Sequence, residues 1–181
     1  MTKERIKIGK WKVVFKGIFN TIKQAQAKYP DGRIKIWERH FRISSVIVLA
    51  FNEKKEFLLT REYRNRSKKY EWWVVTGRID NKKLTPKQHA QKELREEVGF
   101  SAEKLSKFMV WQVGGWDIHV YLATDLKFNP LKNNEYEDIK VYFLPISKVY
   151  QMCLDGKIKN SHIMASVILL YQQIKKDKIK I

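Results

Sequence analysis

The stretch from Thr85 to Phe100 constrains this chain more than any other. Thr85 is a good helix N-cap, Pro86 suits the first helical position, and Gln88 completes a capping box. The pattern predicts a helix that runs to Val98, where Gly99 is placed to end it. Ala90, Leu94 and Val98 form an apolar stripe that needs a sheet to pack on. Glu93, Glu96 and Glu97 stand three and four residues apart, so they share the adjacent face. Like charges on the rim of a buried face repel one another, and a hard divalent cation relieves that repulsion. Mg²⁺ suits such a place because it takes oxygen ligands and keeps several waters, leaving room for substrate phosphates.

The rest of the chain is mostly strands. Residues 11–15 and 33–43 read as strands, and residues 18–29 as a short helix ended by the turn Pro30-Asp31-Gly32. The β-branched run 45–51 reads as a buried strand, and residues 57–63 as its return after a polar turn. A basic loop, 64–69, leads to a short strand at 72–75 that ends in a glycine loop at Gly77. Strands are expected at 105–113, 118–123 and 139–144, and closing helices at 145–154 and 161–174. This order does not fit a simple βαβ alternation. It fits an α+β (α-β-α) chain, with a mixed sheet sandwiched by helices and a small, mostly-β N-terminal extension. The expected boundary divides a strand-rich extension, residues 1–43, from a main domain, residues 44–181.

Composition narrows the function classes. With 44% hydrophobic residues among 181, the chain has enough apolar surface for a core. The formal charge of +18 attracts polyanions, and it also matches lysines scattered among many Ile and Asn. Cys153 is the single cysteine, which excludes an internal disulfide and suits a reducing cytoplasm. The N-terminus lacks the apolar core of a signal peptide, and no apolar run reaches membrane-spanning length. The four histidines show no metal-ligand spacing, so carboxylates must hold any metal. Arg64, after a strand, is a candidate phosphate clamp. Most tryptophans read as core, and Trp116 beside Gly114-Gly115 is the best candidate for stacking on a base.

The segment from Gly77 to Phe100 resembles the Nudix box, G-x5-E-x7-R-E-U-x-E-E-x-G-U. Glu93, Leu94, Glu96, Glu97, Gly99 and Phe100 match in register. Lys92 stands where the box has Arg, the spacing after Gly77 is one residue longer, and Lys83 or Leu84 replaces the early Glu. Across residues 33–172 the chain is similar to the ADP-ribose pyrophosphatase branch. Ile36-Trp37-Glu38-Arg39 resembles its Trp-Glu strand, Glu62-Tyr63-Arg64 its Q-Y-R segment, and Gly77-Arg78-Ile79-Asp80 its G-K-I-D loop.

The resemblance implies a Nudix fold and Mg²⁺-dependent hydrolysis of the pyrophosphate bond of ADP-ribose or a related nucleoside diphosphate derivative, with Mn²⁺ as a substitute. It implies metal binding by Glu93, Glu97, Glu96 and the Thr76 carbonyl, with Glu96 also assisting catalysis. It also implies a loop-borne base, Glu135 or alternatively Glu137. Arg64, Gly77, Arg78, Trp37 and Trp116 are then the candidate substrate contacts, and a homodimer through the N-terminal strands is implied. Two alternatives stand beside this reading. One is a pyrophosphohydrolase of RNA 5′ ends, suggested by the charge. The other is a catalytically weak nucleotide-binding module, suggested by the altered box.

Overall fold

The computed structural model describes residues 5–131 and 139–181. The chain forms two compact units, Met1–Ser44 with Gln112–Asp117, and Ser45–Trp111 with Ile118–Ile181.

The first unit is an antiparallel sheet of β1 (Lys7–Ile8), β2 (Lys12–Lys16), β3 (Asn20–Lys28) and β4 (Ile34–Arg42). β3 lies in the middle, paired along its full length with β4 on one side and with β1 and β2 on the other. Here the expected helix at 18–29 is overturned. Ala, Gln and Lys favour helix, but in Thr21–Lys28 the buried Ala25 and Ala27 alternate with Gln24, Gln26 and Lys28. That two-residue period suits a strand with partners on both sides, and the ladder overrides propensity. The turn into β4 uses Gly32 at φ 85°, a conformation glycine adopts without Cβ strain.

The second unit is α+β, as expected. Its mixed sheet runs β8 (Val75–Arg78), β5 (Ser45–Ala50), β10 (Asp117–Phe128), β9 (Phe100–Gln112), with β5 parallel to β10 and antiparallel to β8. A second, antiparallel sheet runs β11 (Lys140–Leu144), β6 (Phe57–Arg64), β7 (Lys69–Trp73). The strand expected at 72–75 is therefore two strands in different sheets, separated at Val74. The strand expected at 105–113 begins earlier, directly after Gly99. Residues 64–69 close the β6–β7 hairpin, so Arg64 ends a strand.

Helix α1 (Pro86–Glu97) packs on β8 and β5, while α2 (Ile146–Leu154) and α3 (Ser161–Lys175) pack on each other. Ala90, Leu94 and Val98 of the α1 segment meet Val46, Val48 and Val75 in the core. Ile47 and Leu49 point to the other face of β5 and are also buried, which explains why this strand is apolar without alternation. On that fold Trp111 of β9 donates a hydrogen bond to Ser166 of α3 at 2.9 Å. Cys153 is buried in α2, and burial pushes its thiol up to about 11, so it is a packing residue. Among the described residues, no helix is long and apolar enough to cross a membrane.

Candidate active site

The site is assembled where α1 lies along β8. Thr85 caps the helix as its sequence indicates: its side chain accepts from the Gln88 amide, and the Gln88 side chain accepts from the Thr85 amide. The loop ahead of the helix is stapled from both ends. Asn81 Oδ1 accepts from the Lys83 amide at 2.9 Å, and the buried His89 places Nε2 3.0 Å from the Asn81 carbonyl, to which it donates.

With the helix start fixed, Glu93 and Glu97 fall on successive turns facing β8. Glu93 lies against Gly77 so closely that a Cβ there would sit 2.0 Å from its Cδ. Glycine at 77 is thus the condition for this carboxylate's position. Glu97 accepts a hydrogen bond from the Thr76 amide at 3.2 Å. Glu96 is instead held by Lys92 at 2.6 Å, an i, i+4 pair near the surface. Lys92 therefore restrains one carboxylate of the helix as a point charge, without the fork an arginine would bring.

Burial pushes the Glu93 and Glu97 carboxyls toward their neutral form. Burial, with Glu96 and Asp80 adding repulsion, pushes Glu93 up to about 7 against the attraction of Lys92 and Arg78. Burial raises Glu97 well above the ordinary carboxylate range. Glu62 and Glu93 add to that shift, while the Thr76 amide and Arg64 oppose it. A divalent cation would favour the charged form of both. Among the described residues no three His, Cys, Asp or Glu side chains converge into a closed cage. Two carboxylates on one helix face, with no closed cage around them, match a cation that keeps waters and shares substrate phosphates.

Arg64 belongs to a second group whose other members, Thr60, Glu62 and Trp73, were given no role from the sequence. On β6, Thr60, Glu62 and Arg64 alternate onto one face, and the ladder sets Thr60 opposite Trp73 of β7. Buried Glu62 accepts from the Thr60 hydroxyl and pairs with Arg64 at 2.7 Å. The Arg64 guanidinium lies 4.0 Å from the centre of the Trp73 ring, whose Nε1 donates to Thr76 Oγ1 at 3.2 Å. The signal available was the two-residue period of Thr60, Glu62 and Arg64, two of them charged, in a strand that opens on the apolar run Phe57-Leu58-Leu59.

The structure thus brings together Glu93, Glu97, Thr76, Gly77, Arg78 and Arg64 within the second unit, with Glu96 on the helix rim. Trp37 and Trp116 belong to the first unit. Trp37 donates to the Tyr29 hydroxyl at 3.3 Å, and Trp116 lies against His40 and Arg42. Gly115 sits against the His40 carbonyl, where a Cβ would come within 2.0 Å. Glu135 and Glu137 lie outside the described residues.

Residues 41–167 match the model of the NUDIX domain. The chain belongs to the Nudix family. It is 26% identical over 167 residues to an ADP-ribose pyrophosphatase of Mycobacterium tuberculosis, covering 86% of this chain and 78% of that one. Its fold matches the crystal structure of an ADP compounds hydrolase with a TM-score of 0.83, over 98% of each chain at 20% identity. The expected family, fold class and hydrolase assignment are met, and Nudix hydrolases generally use a divalent metal.

Proposed function

We propose that this Nudix protein hydrolyses the pyrophosphate bond of ADP-ribose or a closely related nucleoside diphosphate sugar, with Mg²⁺, releasing AMP and ribose 5-phosphate from ADP-ribose. The observation that carries the reading is the seating of Glu93 on Gly77 beside Glu97 on the Thr76 amide, two half-buried carboxylates on successive turns of one helix face. Glu93, Glu97 and the Thr76 carbonyl would hold the cation, with Mn²⁺ as a substitute. When bound, it supplies neutralisation of phosphoryl charge and a favourable setting for an attacking water.

The chain's own residues do the rest. Arg64 clamps a phosphate, while Gly77 and Arg78 present backbone and charge to the same group. Glu96, held by Lys92, supports the two deeper carboxylates. Glu135, with Glu137 as the alternative, takes the proton from the attacking water. Within the first unit, Trp116 and Trp37 are the aromatic candidates for stacking on a base. The single cysteine supports a reducing, cytoplasmic setting.

We also propose that the first unit pairs with a second copy of the chain. The strand register places Phe15, Ile34 and Ile36 on one face, and these side chains are 54%, 60% and 56% exposed. Apolar side chains left uncovered in such number mark an interaction surface.

The test is release of product from a panel of nucleoside diphosphate sugars with Mg²⁺ or Mn²⁺, with Glu97→Gln as control. No turnover on any member sinks the proposal. Binding of ADP-ribose without turnover supports the weak-module alternative instead.

A further inference from the structure

We propose that Glu62 is a positioning residue: it lays the Arg64 guanidinium on the face of Trp73 and so directs it at the substrate phosphates. The inference rests on the reading of Arg64 as a phosphate clamp. The branch that this chain resembles carries Gln in the Q-Y-R segment, and here a carboxylate stands in that place.

Arg64 is at the end of β6, paired with Lys69, while Trp73 lies opposite Thr60 further along the hairpin. The arginine side chain therefore turns back along its own strand, across Glu62, to reach the ring. A long flexible side chain adopts such a course only where something holds it. Two contacts do so. The Glu62 carboxylate takes one guanidinium nitrogen at 2.7 Å, and the Trp73 ring lies beneath the guanidinium carbon at 4.0 Å. Glu62 is itself fixed, since the Thr60 hydroxyl donates to its other oxygen. Arg64 Nε is buried and has no hydrogen-bond partner among the described residues. A neutral Gln at 62 would offer one carbonyl oxygen and no charge, whereas the carboxylate offers one oxygen to Thr60 and one to Arg64.

Trp73 also donates to Thr76, whose amide binds Glu97. The same ring that seats Arg64 thus touches the strand that carries the proposed metal carbonyl. Glu62 acts through Arg64 and Trp73, and its loss is felt first in phosphate binding.

The experiment compares wild type with Glu62→Ala, Glu62→Gln, Arg64→Ala and the Glu62→Ala/Arg64→Ala double variant. Glu62→Gln preserves side-chain shape where Glu62→Ala fails to fold. The first readout is the Arg64 Nε–Hε resonance in ¹⁵N-correlated NMR, assigned by its absence in Arg64→Ala. In wild type, ring current from Trp73 shifts it and burial slows its exchange. Both Glu62 variants are expected to move it toward the solvent-exposed arginine position.

The second readout is steady-state kinetics with ADP-ribose and Mg²⁺. KM is expected to rise about 10-fold with kcat within about 3-fold, and the double variant to be no worse than Arg64→Ala. An unmoved resonance, or an unchanged KM in both Glu62 variants, overturns the proposal. So does a shift in Mg²⁺ half-saturation at constant KM, which would make Glu62 a metal ligand. A moved resonance in a protein whose wild type turns over no substrate leaves the positioning intact and removes the proposed hydrolysis.

Discussion

Glu93 and Glu97 occupy positions where a carboxylate is costly unless a cation joins it. Glu97→Gln removes one charge while keeping the shape that accepts the Thr76 amide. Turnover is expected to fall by about 100-fold or more, while the metal-free variant melts no lower than wild type. A parallel loss of melting temperature and activity would count against a catalytic role. Glu93 is raised in the folded protein to about 7. The sign follows: a carboxyl raised on folding contributes stability below its unfolded value, and that contribution is lost as pH rises through the folded value. Metal-free protein is therefore expected to melt lower at pH about 8 than at about 5, less so in Glu93→Gln, and Mg²⁺ to protect most at the upper end. Equal pH slopes in both proteins would refute this. The residue types of the helix were legible because E-x-x-E-E sits in register beside an apolar stripe. Glu62 was not, because a charged residue in a strand carries no sign of which face it shares until the hairpin partner is known.

At the scale of elements, the start of α1 decides where its carboxylates fall. Thr85→Ala removes one half of the capping box, which is expected to cost about 1 kcal/mol and lower the melting temperature by roughly 2–4 °C. A larger drop without loss of helix in circular dichroism would contradict the assignment. Gly77→Ala separates stability from function more sharply. The new Cβ meets the end of a flexible side chain, so Glu93 can swing away. Thermal stability is expected to change little, whereas activity falls by about 100-fold, the scale of a misplacement of about 1 Å. Retained activity would mean that Glu93 need not lie on β8. Capped, amphipathic α1 was readable residue by residue, as were the buried β5 and the two closing helices. β3 was not, because Ala, Gln and Lys are strong helix formers and only pairing on both sides makes them a strand. The break at Val74 escaped for a similar reason. A continuous apolar run does not reveal that its two halves belong to different sheets.

At the scale of the molecule, charge is unevenly spread. The first 44 residues hold 12 of the 37 Lys and Arg but only 3 of the 19 Asp and Glu. A quarter of the chain thus carries half of the +18, together with an uncovered apolar face. These features make opposite demands. Apolar burial against a second copy is opposed by repulsion between two basic units, whereas a polyanion such as RNA is attracted by that charge. Salt separates the two. Screening weakens the repulsion between copies, so a dimer tightens as ionic strength rises, while RNA binding weakens steeply with counterion release. Light scattering is therefore expected to show a dimer fraction that increases with NaCl. Ile36→Glu, a charge on the exposed face of β4, is expected to shift the protein to monomer at every salt concentration while changing the stability of the monomer itself by no more than about 0.5 kcal/mol. A wild type that stays monomeric from low to high salt would refute the pairing. Tight RNA binding lost on addition of salt would assign the basic unit to a polyanion instead.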